Sequence, residues 1–108
     1  MTLPASKLSV TIITRDEEAQ IGACLESVRW ADEIIVVDTG SADHTVEICA
    51  KYTTHVYSRP WEGYAPAKNA AIALATGDWI LSLDADEEVS PELAEALCLC
   101  GSWPASRK

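Results

Sequence analysis

The amino-acid sequence predicts an α/β protein with a mostly parallel sheet and helices on both of its faces. Short segments rich in Ile, Val and Leu alternate with longer segments whose apolar residues recur at helical spacing. The short segments are near-continuously apolar, as strands buried on both faces are. Several of them end in polar clusters, and open parallel sheets hold their ligands at those carboxyl ends. The expected order is β-α-β-α-β-α-β-α with right-handed crossovers.

Leu8 to Thr14 (LSVTIIT) is rich in β-branched residues and stops at a charged cluster, which makes it a buried first strand. Asp16 then offers a helix cap, Glu17 and Glu18 suit the positive end of the dipole, and Ile21, Cys24, Leu25 and Val28 share one helical face. The cycle repeats with Glu33 to Asp38 (EIIVVD), a turn over Thr39 to Ala42, and a helix capped by Asp43 that carries Val46, Cys49 and Ala50. His55 to Ser58 forms a shorter third strand. In the next helix Pro66 sits in the first turn, Ala67, Ala70, Ala71 and Leu74 share a face, and Gly77 is expected to be a left-handed stop. Asp78 to Leu83 (DWILSL) is the fourth strand, and Ser90-Pro91 caps a last helix with Leu93, Ala96, Leu97 and Cys100 on one side.

With 108 residues and 48% hydrophobic content, residues 1–108 suffice for a single domain, with 101–108 expected to be an irregular tail. The net charge of −9 and only eight scattered Lys and Arg exclude a nucleic-acid partner, which needs clustered cations to displace counterions. The opening residues lack an apolar core of signal-peptide length, and the longest apolar run falls far short of the roughly 20 residues that span a bilayer. A soluble, cytoplasmic protein is expected, with peripheral contact at the inner membrane face as a further expectation. Cys24, Cys49, Cys98 and Cys100 lack zinc-ligand spacing and read as thiols without a function.

The strand ends carry the chemistry. Thr14-Arg15-Asp16-Glu17, Asp38-Thr39-Gly40-Ser41 and Asp84-Ala85-Asp86-Glu87-Glu88 all fall where a ligand crevice belongs. Residues i and i+2 of an extended segment point the same way, so Asp84 and Asp86 face one site. Two carboxylates about 5 Å apart at an effective dielectric of about 20 repel by about 3 kcal/mol, which a divalent cation relieves. Magnesium and manganese accept hard oxygen ligands and commonly take only one or two carboxylates beside substrate phosphates. Spacing alone favours an acidic loop ahead of the last helix dipole over a metal site. Asp38 either caps the next helix or accepts from a ribose or base, and Lys68, beside Asn69, either meets a phosphate or is an exposed cation.

Taken in order, LSVTIITRDEEAQIGACLESV, EIIVVDTGSADHTVEIC and WEGYAPAKNAAIALATGDWILSLDADEEVSPEL resemble the family 2 inverting glycosyltransferases, whose nucleotide-binding half has the Rossmann-like GT-A fold. The similarity runs over residues 8–98, and its last segment is similar to bacterial enzymes that add sugars to the lipopolysaccharide core. The resemblance implies that Thr14 and Glu17 line a nucleotide pocket, Asp38 contacts base or ribose, and Lys68 lies near the diphosphate. It makes Asp84 and Asp86 the DxD motif, with Asp86 the metal ligand and Asp84 nearer the ribose or metal. The cofactor is then Mn2+ or Mg2+, the donor a nucleotide-activated sugar and the acceptor a glycan or lipid-linked glycan.

Two departures stand out: Asp16 occupies a position where the family often has Asn, and the acidic pair after the second strand is reduced to Asp38-Thr39. The family continues with further strands, an acceptor region and an acidic catalytic base, none of which follows Cys100. The expectation is therefore a donor-binding half whose exposed sheet edge favours a homodimer. The competing expectation is a noncatalytic nucleotide-sugar or metal-binding module. A sugar nucleotidyltransferase needs a glycine-rich loop where Thr14-Arg15-Asp16-Glu17 stands, and a phospho-receiver leaves the AKN helix and DAD turn without a role.

Overall fold

The computed structural model describes residues 7–93 and the backbone of 106–107. Strands β1 (Leu8–Thr14), β2 (Glu33–Asp38), β3 (Val56–Ser58) and β4 (Trp79–Asp84) alternate with helices α1 (Ile21–Ser27), α2 (Thr45–Cys49) and α3 (Tyr64–Leu74). The sheet order is β3-β2-β1-β4-β5, with β1 paired in parallel to β2 and β4, and β2 in parallel to β3. The stretch expected to be irregular contributes β5 (Ser106–Arg107), which runs antiparallel to β4 at Trp79 and Ile80. Among the described residues no strand pairs with the outer edge of β4 beyond Ile80.

Strand alternation divides the core in two, because neighbouring residues of a strand face opposite sides of the sheet. Leu8, Val10, Ile12, Ile34 and Val36 pack with Ile21, Cys24, Leu25 and Val28 of α1 and its cap on one side. Ile35, Val37 and Ile80 pack with Ala71 and Ala75 on the other. Each fully buried Ile, Leu or Val contributes about 2 kcal/mol relative to exposure, so the α1 side is the stronger anchor. On the α3 side β1 offers small polar residues, Ser9 and Thr11, both buried. Thr11 Oγ1 pairs with Ser82 Oγ at 3.1 Å, and the alanines of α3 let that helix lie close above them.

Two expectations need correction here. Gly77 does not adopt a left-handed conformation; α3 stops because Ala75 turns extended (φ −71°, ψ 138°). Gly77 is required for closeness instead: a Cβ there would lie 2.5 Å from Ser9 Oγ and 2.9 Å from the backbone of Lys7 and Ser9. Asp16 does not cap α1, which starts at Ile21 with Gln20 before it and no side-chain cap bond. Asp16 itself has φ 51°, a left-handed value that turns the chain away from the helix axis. The predicted last helix begins as expected, with Leu93 N–H donating to Ser90 Oγ at 3.1 Å, and its remaining residues lie outside those described.

Candidate functional site

The left-handed Asp16 aims the N–H groups after β1 at the loop after β2. Asp16 N–H donates to Ser41 Oγ (2.8 Å), Glu17 N–H to Thr45 Oγ1 (2.9 Å) and Glu18 N–H to Asp43 Oδ2 (3.2 Å). The carboxylates answer in the opposite direction, Asp16 Oδ1 accepting from Ala42 N–H (2.7 Å) and Glu18 Oε2 from His44 N–H (3.2 Å). His44 Nδ1 also meets Glu18 Oε2 at 3.0 Å, and the Glu18 hydrogen bond, with Glu47 and Asp43 nearby, holds its pKa above the ordinary 6.5. Asp43 Oδ1 accepts from Thr45 N–H at 3.0 Å, so it serves the start of α2 as the sequence predicts. These reciprocal bonds fix the two loops as one rim.

Asp38 does not cap the next helix, which is one of its two sequence readings. Only 3% exposed, it accepts from the N–H of Gly40 (3.1 Å) and Ser41 (2.9 Å) and from the Ser41 hydroxyl. It therefore holds its own turn, in which Gly40 takes φ 114°, rather than capping α2. A carboxylate has roughly four acceptor positions, so about one remains for a ligand.

A cleft of about 460 Å³ opens at the carboxyl ends of β1, β2 and β4. Ile13, Thr14, Arg15 and Glu17 form one wall, Thr39 the floor towards β2, and Asp84, Ala85 and Asp86 the wall after β4. Trp61 and Tyr64, flanking the start of α3, complete it. Thr39 donates through both N–H (3.0 Å) and Oγ1 (3.2 Å) to Thr14 O, which joins β1 and β2 at this point. Thr14 Oγ1 is buried and has no hydrogen-bond partner among the described residues, an unusual cost for a polar atom that a ligand would relieve.

The acidic turn is shaped by its backbone. Asp84 N–H donates to Glu87 Oε1 (2.9 Å) and Glu87 N–H to Asp84 O (3.0 Å), while Ala85 is buried beneath. Asp84 and Asp86 stay exposed, and neither carboxylate takes part in a hydrogen bond or ion pair among the described residues. Two free hard-oxygen donors on one cleft fit a magnesium- or manganese-type cation that draws its other ligands from water and phosphate. Among the described residues no three His, Cys, Asp or Glu side chains converge into a closed metal cage. Beneath the turn, burial pushes the Cys24 thiol up to about 12, and burial pushes Cys49 up to about 11; both are uncharged and inert at neutral pH.

The cleft thus unites Thr14, Glu17, Asp84 and Asp86. Asp38 lies in an adjoining groove that shares Thr39, and Lys68 is exposed on α3 without lining either space. Sequence reasoning missed Trp61 and Tyr64; Arg15 and Thr39 lie in the clusters it placed at the crevice, without individual roles. The available signal was the pair of aromatics on either side of Gly63, just ahead of a helix of alanines.

Residues 9–98 match the family model described as glycosyl transferase family 2, and the chain belongs to that family. An uncharacterized glycosyltransferase of Rickettsia typhi is 44% identical over 92 residues, covering 84% of this chain and 32% of that protein. The lipopolysaccharide core biosynthesis glycosyltransferase LpsC of Rhizobium meliloti is 36% identical over 100 residues, covering 88% of this chain and 37% of that one. The chain therefore spans about a third of the length of these curated relatives. Among solved structures, S. aureus TarS 1-349 in complex with UDP-GlcNAc superimposes with a TM-score of 0.71 at 28% identity, over 86% of this chain and 30% of that one. M. tuberculosis glucosyl-3-phosphoglycerate synthase in complex with Mg2+ and UDP gives 0.67 at 25% identity, over 77% of this chain and 35% of that one. The fold is the mostly parallel, Rossmann-like GT-A arrangement.

Proposed function

We propose that this chain is the donor-binding part of an inverting glycosyltransferase, holding a nucleotide-activated sugar through a divalent cation at Asp84 and Asp86. The observation that carries the reading is the cleft itself, with two free carboxylates, an unpartnered Thr14 hydroxyl and Glu17 at the ligand end of a parallel sheet. Kinship with proteins solved with UDP-GlcNAc and with Mg2+ and UDP supports the donor class and the metal.

Thr14 Oγ1 would bond a nucleoside hydroxyl or base atom, and the remaining acceptor position of Asp38 would reach the ribose. Asp86, with Asp84 beside it, would hold the cation, which when bound neutralises charge growing on the departing diphosphate. Lys68 remains a proposed diphosphate contact only if α3 approaches the ligand on binding. Transfer also needs a base within hydrogen-bond reach of the acceptor hydroxyl. We assign none in this chain, so the claim for the chain is donor and metal binding.

The relationship to LpsC supports a lipopolysaccharide-type glycan as acceptor. No helix of the described residues is long and apolar enough to cross a membrane. The outer edge of β4 beyond Ile80, without a strand partner among the described residues, supports self-association as part of the same reading.

Calorimetric titration of UDP and GDP, each with and without Mn2+ or Mg2+, tests the assignment. We expect cation-dependent binding that falls at least about tenfold in Asp86→Ala, the loss of a charge-assisted ligand contact. Binding that needs no cation and survives in Asp86→Ala would sink the metal site. Product assays with lipopolysaccharide acceptors then separate donor binding from turnover.

A further inference from the structure

Trp61 and Tyr64 are large, exposed (45% and 56%) and set in edge-to-face contact, ring centroids 5.5 Å apart at 83°. Apolar faces of that size on the wall of a polar cleft are out of place unless something covers them. We propose that Trp61, braced by Tyr64, is the surface on which the nucleobase of the donor stacks; the inference rests on the donor-binding reading above.

Topology places the pair on the nucleoside side. β3 is the sheet edge next to β2, whereas α3 packs against β1 and β2, so residues 59–63 must cross above the carboxyl end of β2 to connect them. The segment is pinned there by Arg59 N–H donating to Asp38 O at 2.9 Å and by the Arg59–Glu62 pair at 3.4 Å. Asp84 and Asp86 stand on the opposite side of β1, after β4. With the diphosphate at that acidic turn, one arm of the donor extends towards β2, where doubly wound nucleotide sites receive the ribose.

Two further observations mark that side as the one that receives a ligand. Thr14 Oγ1 and Arg59 Nε are the buried side-chain atoms without a hydrogen-bond partner among the described residues. The first lines the cleft, and Arg59 lines the adjoining groove of about 500 Å³ that shares Thr39. A nucleoside supplies what all three features lack: a flat π-face for the indole, and ring and carbonyl acceptors for the two donors. Stacking tolerates any base, so the base need not be known for the test.

The experiment compares Trp61→Ala, Trp61→Phe and Asp86→Ala with the wild type, using UDP, GDP, UDP-glucose and inorganic pyrophosphate with Mg2+. Trp61→Ala should weaken UDP or GDP by about tenfold. It should leave pyrophosphate unchanged, and Trp61→Phe should recover most of the loss. Circular dichroism of each variant excludes misfolding as the cause, which the exposure of Trp61 already disfavours. Equal affinity of Trp61→Ala and wild type for the nucleotides overturns the stacking surface alone. So does a loss shared with pyrophosphate, or one seen with UDP-glucose and not with UDP. A wild type that binds no nucleoside diphosphate overturns the donor reading and this inference with it.

Discussion

At residue 77 a single hydrogen in place of a methyl group lets α3 and β4 meet β1. Ser9 Oγ receives the Gly77 N–H at 2.9 Å and donates to Glu33 Oε1 at 2.7 Å, so a Cβ at 77 strikes a hydroxyl that is already engaged on two sides. Two of its three close neighbours are backbone atoms that do not rotate away. Gly77→Ala should therefore destabilise the fold by about 2 kcal/mol, as overpacking does, read as a lower urea midpoint at unchanged slope. The same network sets an acid response. Burial opposes the charge of Glu33, but hydrogen bonds from Thr76 and Ser9, with Lys7 nearby, outweigh it and hold its pKa below the ordinary 4.5. A depressed folded pKa adds stability above 4.5 that is lost as pH falls through the folded value, so Glu33→Gln should flatten the acid limb of a stability-versus-pH curve. A curve with the same acid slope in both proteins would assign the acid response to other carboxylates. The glycine was visible in the sequence as a helix stop, and its actual partner, Ser9, is 68 positions away. Local patterns carry no information about such an approach.

The elements themselves were legible wherever burial dictates period. β1 and β2 occupy the predicted Leu8–Thr14 and Glu33–Asp38, because near-continuous β-branched runs have few alternatives once both faces are covered. α3 begins at Tyr64, ahead of the predicted Pro66 turn, since Gly63 (φ 105°) rather than a polar cap sets its entry. Loops were less legible, for their bonds run between segments about 25 residues apart: Asp16, read as a local cap, braces Ala42 instead. In the site, the acidic turn and TRDEE cluster could be read from strand ends, whereas the inward turn of Asp38 depends on a left-handed Gly40. The rim those bonds form should respond to pH through His44. Its raised pKa means that the charged form is favoured by folding, so the contribution is present below 6.5 and disappears as pH rises through the folded value. In an NMR titration Glu18→Gln should move the His44 midpoint down towards 6.5, and the Glu17 and Thr45 amides should shift with it. A His44 midpoint indifferent to that substitution would show that Glu18 does not clamp the two loops.

Charge acts on the molecule as a whole. A chain of net charge −9 whose cleft carries Glu17, Asp84 and Asp86 against Arg15 repels any nucleoside diphosphate before it arrives. A cation bound at the acidic turn reverses the local sign, so salt should act in opposite directions on the two titrations. Without a divalent cation, raising NaCl from about 0.02 to 0.3 M shortens the screening length severalfold and should strengthen weak UDP binding by reducing repulsion. With saturating Mg2+, the same salt should weaken UDP binding by screening the attraction between the cation and the diphosphate, while Asp84 and Asp86 lose part of their hold on the cation. Isothermal titrations at several ionic strengths resolve the two slopes, and Asp84→Asn with Asp86→Asn should make both shallower. If metal-free affinity fell with salt instead, Arg15 and the cleft's backbone donors would outweigh its three carboxylates, and the acidic turn would not be what makes donor binding depend on a metal.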